Sequence, residues 1–434
     1  LDSSFAEGDN LIETEKRKRR PLNRRLAVIL LVVFVQMVGA SMVLPILPIY
    51  ASNRFEMSPQ AVTLLITSFF AAQFVAGPFI GRMSDQYGRL PVLIISQIGT
   101  VISFMLLGFA WSGTILFAAR ILDGITGGNI IVAQAYVTDV TPKEERTQSL
   151  GYIFAAFGVG FIFGPAIGGF LASQFSYETP YIVASIAAAI TVILTWLLLD
   201  ESLTPEERDA NRQRKSDNEM SLRAVFTNLP LLSILAITFG SQFGFAMLQS
   251  TFALFGEAVI FAGESSETVN LGIGLLLATV GLGQLFTQTI LLKRLSTKFS
   301  EASLNLIGTV LRGLSTLGLV VFISPYLAGI SMFFFAVGLG VQMPALQSLA
   351  TKFAPDNYRG GILGLYQSSV SLAIIIGSAI AGVLFAINPR MPYWVGAILF
   401  GLMTIPGIRL IQWSKHHKTD FSSPDPIANP VDSV

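Results

Sequence analysis

The chain has 434 residues, 52% of them hydrophobic and 13% charged, with a mean hydropathy of +0.63 and a net charge of +1. Soluble domains carry roughly 25% charged residues, so this composition argues against a soluble globular protein, a disordered chain or a collagen, and the absence of Cys against a disulfide scaffold. No folded segment is broadly basic, which argues against a nucleic-acid partner, and two His with no Cys leave almost no material for a metal site or a Cys or His nucleophile.

The hydrophobic residues fall into twelve blocks, each near the roughly 20 residues that a bilayer-crossing helix needs. In chain order they are Leu26–Tyr50, Gln60–Gly81, Val92–Ser112, Thr114–Thr138, Ser149–Ser173, Pro180–Leu199, Pro230–Phe255, Asn270–Leu292, Ser303–Ser324, Tyr326–Ala350, Gly361–Ile387 and Met391–Trp413. Only the Ser324-Pro325 turn divides the ninth from the tenth. Continuous runs such as Leu30 to Val35 lack the strict alternation of a transmembrane barrel strand. The organisation read from these blocks is a basic N-tail (1–25), a six-span half (26–199), a charged linker (200–228), a second six-span half (229–413) and a disordered C-tail (414–434). The N-tail is not read as a secretory signal, because the first apolar block is too long and lacks a small-residue cleavage site.

Charge orients the spans. With the N-terminus inside, 24 of the 28 Lys and Arg fall in the N-tail, the inner loops, the linker, the C-tail and, as Arg409, the inner end of the twelfth block. Arg54 and Arg390 fall outside, and Arg120 and Arg312 lie within spans. This positive-inside bias implies that both termini are cytoplasmic. The chain also repeats: residues 134–171 shifted by 213 positions give 12 identities in 38 positions, and a shift of 212 aligns Arg82 and Ser84 with Arg294 and Ser296. Two parallel six-span repeats place a site between them near the bilayer midplane.

Polar residues inside the spans carry the candidate chemistry. The first span reads Val35-Gln36-Met37-Val38-Gly39-Ala40-Ser41 and continues to Pro45 and Pro48. The following inner loop reads Gly81-Arg82-Met83-Ser84-Asp85-Gln86-Tyr87-Gly88-Arg89-Leu90. The fourth span carries Arg120 and Asp123, then Gly124, Gly127, Gly128 and Asn129. A charge at mid-span costs roughly 2.5–3.5 kcal/mol on insertion scales. Residues three apart share a helix face, so Arg120 and Asp123 are either a self-neutralising pair or a proton or cation site on a central cavity. The fifth span has Gly151, Gly160, Gly164, Pro165, Gly168 and Gly169. Such glycines clear a face for a neighbouring helix, and Pro165 permits a kink. On the seventh span Gln242 and Gln249 share a face near Phe239, Phe243 and Met247, a lining suited to a large amphipathic ligand. Gln342 and Gln367 join this candidate cavity set, although each amide could equally bond one helix to another. Arg312, alone in the ninth span, is expected to snorkel or cap a neighbour. His416-His417 reads as tail rather than metal site.

The loop from Gly81 to Leu90 resembles the signature loop of the major facilitator superfamily, G-x-x-x-D-x-x-G-R-[RK], with Leu90 where a second basic residue would stand. Arg120 with Gly124 resembles the R-x-x-x-G motif of its proton-coupled exporters. The run from Gly151 to Gly169 matches G-x8-G-x3-G-P-x2-G-G of its drug and tetracycline exporters. The first span is similar to the opening helix of that branch, with Gln36 where a carboxylate often stands. The resemblance, over roughly residues 24 to 413, implies an all-α membrane fold of twelve helices in two pseudo-symmetric six-helix bundles. It further implies a secondary transporter rather than an enzyme, a monomer with no cofactor beyond the proton gradient. The expected activity is proton-coupled export of lipophilic or amphipathic small molecules by rocker-switch alternating access. Asp123 would exchange a proton for substrate, tuned by Arg120, with Gln36 and Asn129 in the same cavity. Gly81 would allow close packing and Gly88 a tight turn. Asp85 would sit at the start of the eleventh span near Gly360 and Gly361, and Arg89 would pair with Asp139, latching the inner side. The Gln36 departure leaves open a facilitative or symport carrier for a small metabolite, which flux direction separates from an exporter. Substrate counterflow separates both from a receptor or scaffold that has lost transport.

Overall fold

The computed structural model describes residues 24–127, 129–141, 146–204, 206, 208, 228–353 and 359–420. The basic N-tail to residue 23, Gly128, most of the linker and the C-tail beyond residue 420 lie outside the described residues, as do the side chains of Asn129 and of His416-His417.

The described residues form helices joined by short connections, with no strand among them. They are α1 (Arg24–Phe55), α2 (Pro59–Tyr87), α3 (Arg89–Gly108), α4 (Gly113–Val140), α5 (Arg146–Gln174), α6 (Thr179–Leu198), α7 (Leu229–Ile260), α8 (Ser266–Ser296), α9 (Glu301–Val321), α10 (Pro325–Lys352), α11 (Arg359–Ile387) and α12 (Met391–Asp420). Eleven are long and apolar enough to cross a membrane, and the described apolar run of α5 is Gly158–Gln174. Most helices outrun their apolar blocks, because a lipid-embedded chain must satisfy its own backbone bonds and continues the ladder into the polar interface. α4 is interrupted by a turn at Gly127, and π turns end α7 at Gly256–Ile260 and break α8 at Thr287–Leu291. α9 and α10 are separate helices: Pro325 opens α10 at a position where its missing N–H has no cost.

The chain divides into two compact units, residues 1–43 with 72–215 and residues 44–71 with 216–434. In the first, α3 packs on α6 and α4 around Ile29, Val32, Leu93, Val132, Tyr136 and Ile153. In the second, α9 packs on α10 and α12, and α7 on α11, around Ile234, Ile237, Leu349, Ile362 and Tyr366. Residues 44–71 join the second unit through hydrogen bonds such as Thr67 Oγ1 to Ser378 Oγ at 2.8 Å and Asn53 Nδ2 to Glu257 Oε1 at 3.0 Å. Large apolar side chains such as Val75, Phe79, Ile95, Trp196 and Ile398 are exposed, the pattern of helices solvated by lipid rather than water.

Candidate functional site

Arg120 and Asp123 lie on one face of α4, each only 6% exposed, and Arg120 Nη1 donates to Asp123 Oδ2 at 2.7 Å. The fold sequesters them by bringing α3 close to α4. Ser103 Oγ donates to the Ala119 carbonyl at 2.8 Å, and a Cβ at Gly99 would run into the Thr126 side chain. Two charges that would each be costly in hydrocarbon are thus paired with each other in a buried site. One turn further on, Gln73 Nε2 of α2 reaches the Gly127 carbonyl at 3.4 Å, at the break in α4. Gln36 is buried on α1.

The turn between α2 and α3 carries a tight charged cluster inside the first unit. Arg89, the first residue of α3, uses Nε on Asp139 Oδ2 (2.9 Å) and Nη1 on both Asp85 Oδ1 (2.6 Å) and Ser84 Oγ (2.8 Å). Two residues that the sequence did not single out complete it. Glu201 accepts from the backbone N–H groups of Arg89 (2.8 Å) and Leu90 (3.1 Å), and Ser202 Oγ donates to Asp139 Oδ2 (3.0 Å). Glu201 therefore caps α3 from 112 residues away in the chain. Gly88 makes this possible: its φ of 109° suits glycine, and a Cβ there would collide with the Glu201 carboxylate. Gly81, in contrast, has open space around it. Asp85 pairs with Arg89 of its own unit, and the expected partner region of Asp85 at Gly360 and Gly361 lies outside the described side chains.

The glycines of α5 face α1. A Cβ at Gly164 would overlap Ser41 Oγ and lie 2.6 Å from the Val38 carbonyl oxygen, and Gly160 is equally close to Met37. Ser41 Oγ donates toward the Gly160 carbonyl at 2.9 Å and toward its own helix at Met37 at 2.6 Å. Pro165 lies inside α5, one residue past this contact.

In the second unit Gln242 and Met247 are buried, Phe243 and Gln249 are half-buried and Gln367 is exposed. Phe239 stacks on Phe243 with centroids 6.0 Å apart, beside an apolar groove of about 390 Å³ lined by Ala236, Phe239, Gly240, Phe243, Leu399 and Met403. Gln342 is fully buried, and its amide is occupied by Arg312, Ser241, Asn305 and Thr309. Arg312 does not snorkel: it is 0% exposed, because Gln342, the Ser241 carbonyl and three phenylalanine rings supply an interior berth. Glu301 at the start of α9 pairs with Lys352 at the end of α10.

Residues 29–265 and 259–426 both match the Major Facilitator Superfamily. The chain is 30% identical over 400 residues to the class H tetracycline resistance protein of Pasteurella multocida, covering 88% of this chain and 96% of that protein. It is 27% identical to multidrug resistance protein 2 of Bacillus subtilis (strain 168), covering 90% and 95%. The fold matches a solved peptide transporter with a TM-score of 0.73 at 12% identity, over 90% of this chain and 94% of that one.

Proposed function

Because this chain belongs to the Major Facilitator Superfamily, we propose that it is a secondary transporter that exports lipophilic or amphipathic small molecules in exchange for protons, by alternating access. The tetracycline and multidrug resistance relatives support export of drug-like molecules. The single observation that carries the coupling is the buried Arg120–Asp123 pair at 2.7 Å.

A proton arriving on Asp123 Oδ2 displaces the Arg120 Nη1 bond, and the pair ceases to be self-neutralised. The site then exists in two states, one carboxylate-paired and one with a neutral acid beside a freed guanidinium. Substrate binding and proton binding exclude each other when substrate favours the paired state and protonation the other. Gln36 offers a hydrogen bond but no titratable group, so this reading assigns coupling to α4. The same reading places both termini in the cytoplasm and has the protein act as a monomer.

The test uses inside-out vesicles with an acid lumen and a pH-sensitive dye, comparing wild type with Asp123→Asn. Substrate-triggered proton release that disappears in the variant is the expected outcome. Release of equal size in Asp123→Asn moves coupling off α4 and refutes the assignment.

A further inference from the structure

Arg312 is held by groups that satisfy it without neutralising it. Its Nη1 donates to Gln342 Oε1 at 2.5 Å and its Nη2 to the Ser241 carbonyl at 2.9 Å. Its guanidinium carbon lies 4.6, 4.9 and 5.9 Å from the ring centroids of Phe400, Phe335 and Phe245. No carboxylate is within ion-pair distance of it among the described residues. The surrounding cluster is also rich in donors: Arg312 Nε and Asn305 Nδ2 are buried without a hydrogen-bond partner. Arg120, the other mid-span cation, has Asp123. The second unit therefore keeps a positive charge in its interior.

That charge is retained by the choice of residue at one position. A glutamate in place of Gln342 would put a carboxylate oxygen on Nη1 with no change of shape. The amide is there instead, and a buried charge of this kind is costly enough to point to a function. The charge also lies close to the candidate substrate residues. Ser241, which accepts from Arg312 and takes a second bond from Gln342 Nε2 at 3.0 Å, directly precedes Gln242 in α7. Gln242 is 4% exposed with its Oε1 unpartnered.

We propose that Arg312, kept unneutralised by Gln342, sets the charge class of the transported molecule, favouring organic anions over cations of similar size. The inference rests on the export reading above. A unit charge roughly 10 Å from a bound ligand, at an effective dielectric of about 20, changes binding on the order of tenfold. Arg312 acts here through its field and does not touch the ligand.

The experiment measures transport of two permanently charged fluorescent probes in proteoliposomes, anilinonaphthalene sulfonate and a dimethylaminostyryl methylpyridinium. Wild type is compared with Gln342→Glu and Arg312→Lys. Because the same field favours the anion and disfavours the cation, the wild type is expected to show a KM for the sulfonate on the order of a hundredfold below that for the pyridinium. Gln342→Glu keeps an acceptor on Arg312 Nη1 and removes the net charge, while the groups that accepted from Gln342 Nε2, the Ser241 and Thr309 hydroxyls and the Asn305 amide, must turn to donate to the carboxylate; it brings the two KM values together. Arg312→Lys loses the fork and the ring stacking but keeps the preference. A purely structural Arg312 gives the opposite pattern: Gln342→Glu silent and Arg312→Lys impaired for both probes alike. An unchanged probe ratio in Gln342→Glu overturns the inference while leaving export intact. Movement of neither probe in wild type overturns the export reading and this inference with it.

Discussion

Gly164→Ala tests whether the glycines of α5 exist to admit α1. Alanine at a helical glycine normally gains about 1 kcal/mol from propensity. Here the added Cβ overlaps Ser41 Oγ and sits 2.6 Å from the Val38 carbonyl oxygen, where an ordinary contact begins at 3.4 Å. A hydroxyl can rotate away, but a backbone carbonyl moves only with its helix, so α1 and α5 must part. Overpacking of this kind costs about 1–3 kcal/mol. The displaced hydroxyl also loses its 2.9 Å bond to the Gly160 carbonyl, about 1 kcal/mol more. The net expectation is a loss of about 1–3 kcal/mol, measured by unfolding of the detergent-solubilised protein. Ser41→Ala alone costs about 1 kcal/mol, and on top of Gly164→Ala it costs little more, because the hydroxyl's bond is already lost there, giving a favourable coupling of about 1 kcal/mol in the double-mutant cycle. Gly158→Ala is the control on the same helix, since nothing lies within 4 Å of its Cβ position. The reasoning fails if Gly164→Ala is as stable as Gly158→Ala, or if the Ser41 and Gly164 substitutions are simply additive.

Three further outcomes follow from the charged cluster at the α2–α3 turn. Gly88→Ala, at φ 109° and ψ 154°, enters backbone space that is nearly exclusive to glycine and drives its methyl into Glu201; a loss of about 1–3 kcal/mol is expected in the same unfolding assay. Glu201→Ala leaves two N–H groups of α3 without their carboxylate and costs about 1–2 kcal/mol, read alongside faster protease cleavage near residues 200–204. Arg89→Lys can hold one of Asp139, Asp85 and Ser84 but not all three, and is expected to lose about 1–3 kcal/mol with transport reduced in proportion to folded protein.

The twelve spans were legible because lipid demands long apolar helices, and length and hydropathy record that directly. Arg120 and Asp123 were legible because charge inside such a helix is costly and three-residue spacing puts both on one face. Glu201 was not, because nothing local distinguishes an acid at the end of α6 from any other charge at the start of a linker; its role arises from the return of the chain to the turn at Gly88. Arg312 was conspicuous, but its berth was not. Ser241, Asn305, Thr309, Gln342 and the three phenylalanines are ordinary span residues on α7, α9, α10 and α12, and only packing joins them. For the same reason Gln342 could not be told from Gln242 in sequence. Both are span amides, one enclosed by four polar partners and the other with a bare oxygen.

The repeat explains why the first unit needs Glu201. The 212-residue offset that aligns Arg82 with Arg294 carries Arg89 onto Glu301, and the 213-residue offset carries Asp139 onto Lys352. Both pairs are ion pairs in their own units, with the charges exchanged. The exchange is not neutral, because Arg89 and Glu301 are each the first residue of a helix. An acid there complements the helix dipole, whereas a base opposes it. α9 accordingly manages with a local cap, the Ser303 N–H on Ser300 Oγ at 3.3 Å. α3 begins with the unfavourable charge and has no side-chain cap of its own at Gly88. It takes its negative charge from elsewhere: Glu201 on the backbone, Asp85 and Asp139 on the guanidinium. The Gly-Arg step of the signature loop and Glu201 are therefore one device, in which the glycine gives the carboxylate access and the carboxylate makes an arginine tolerable at the head of the helix.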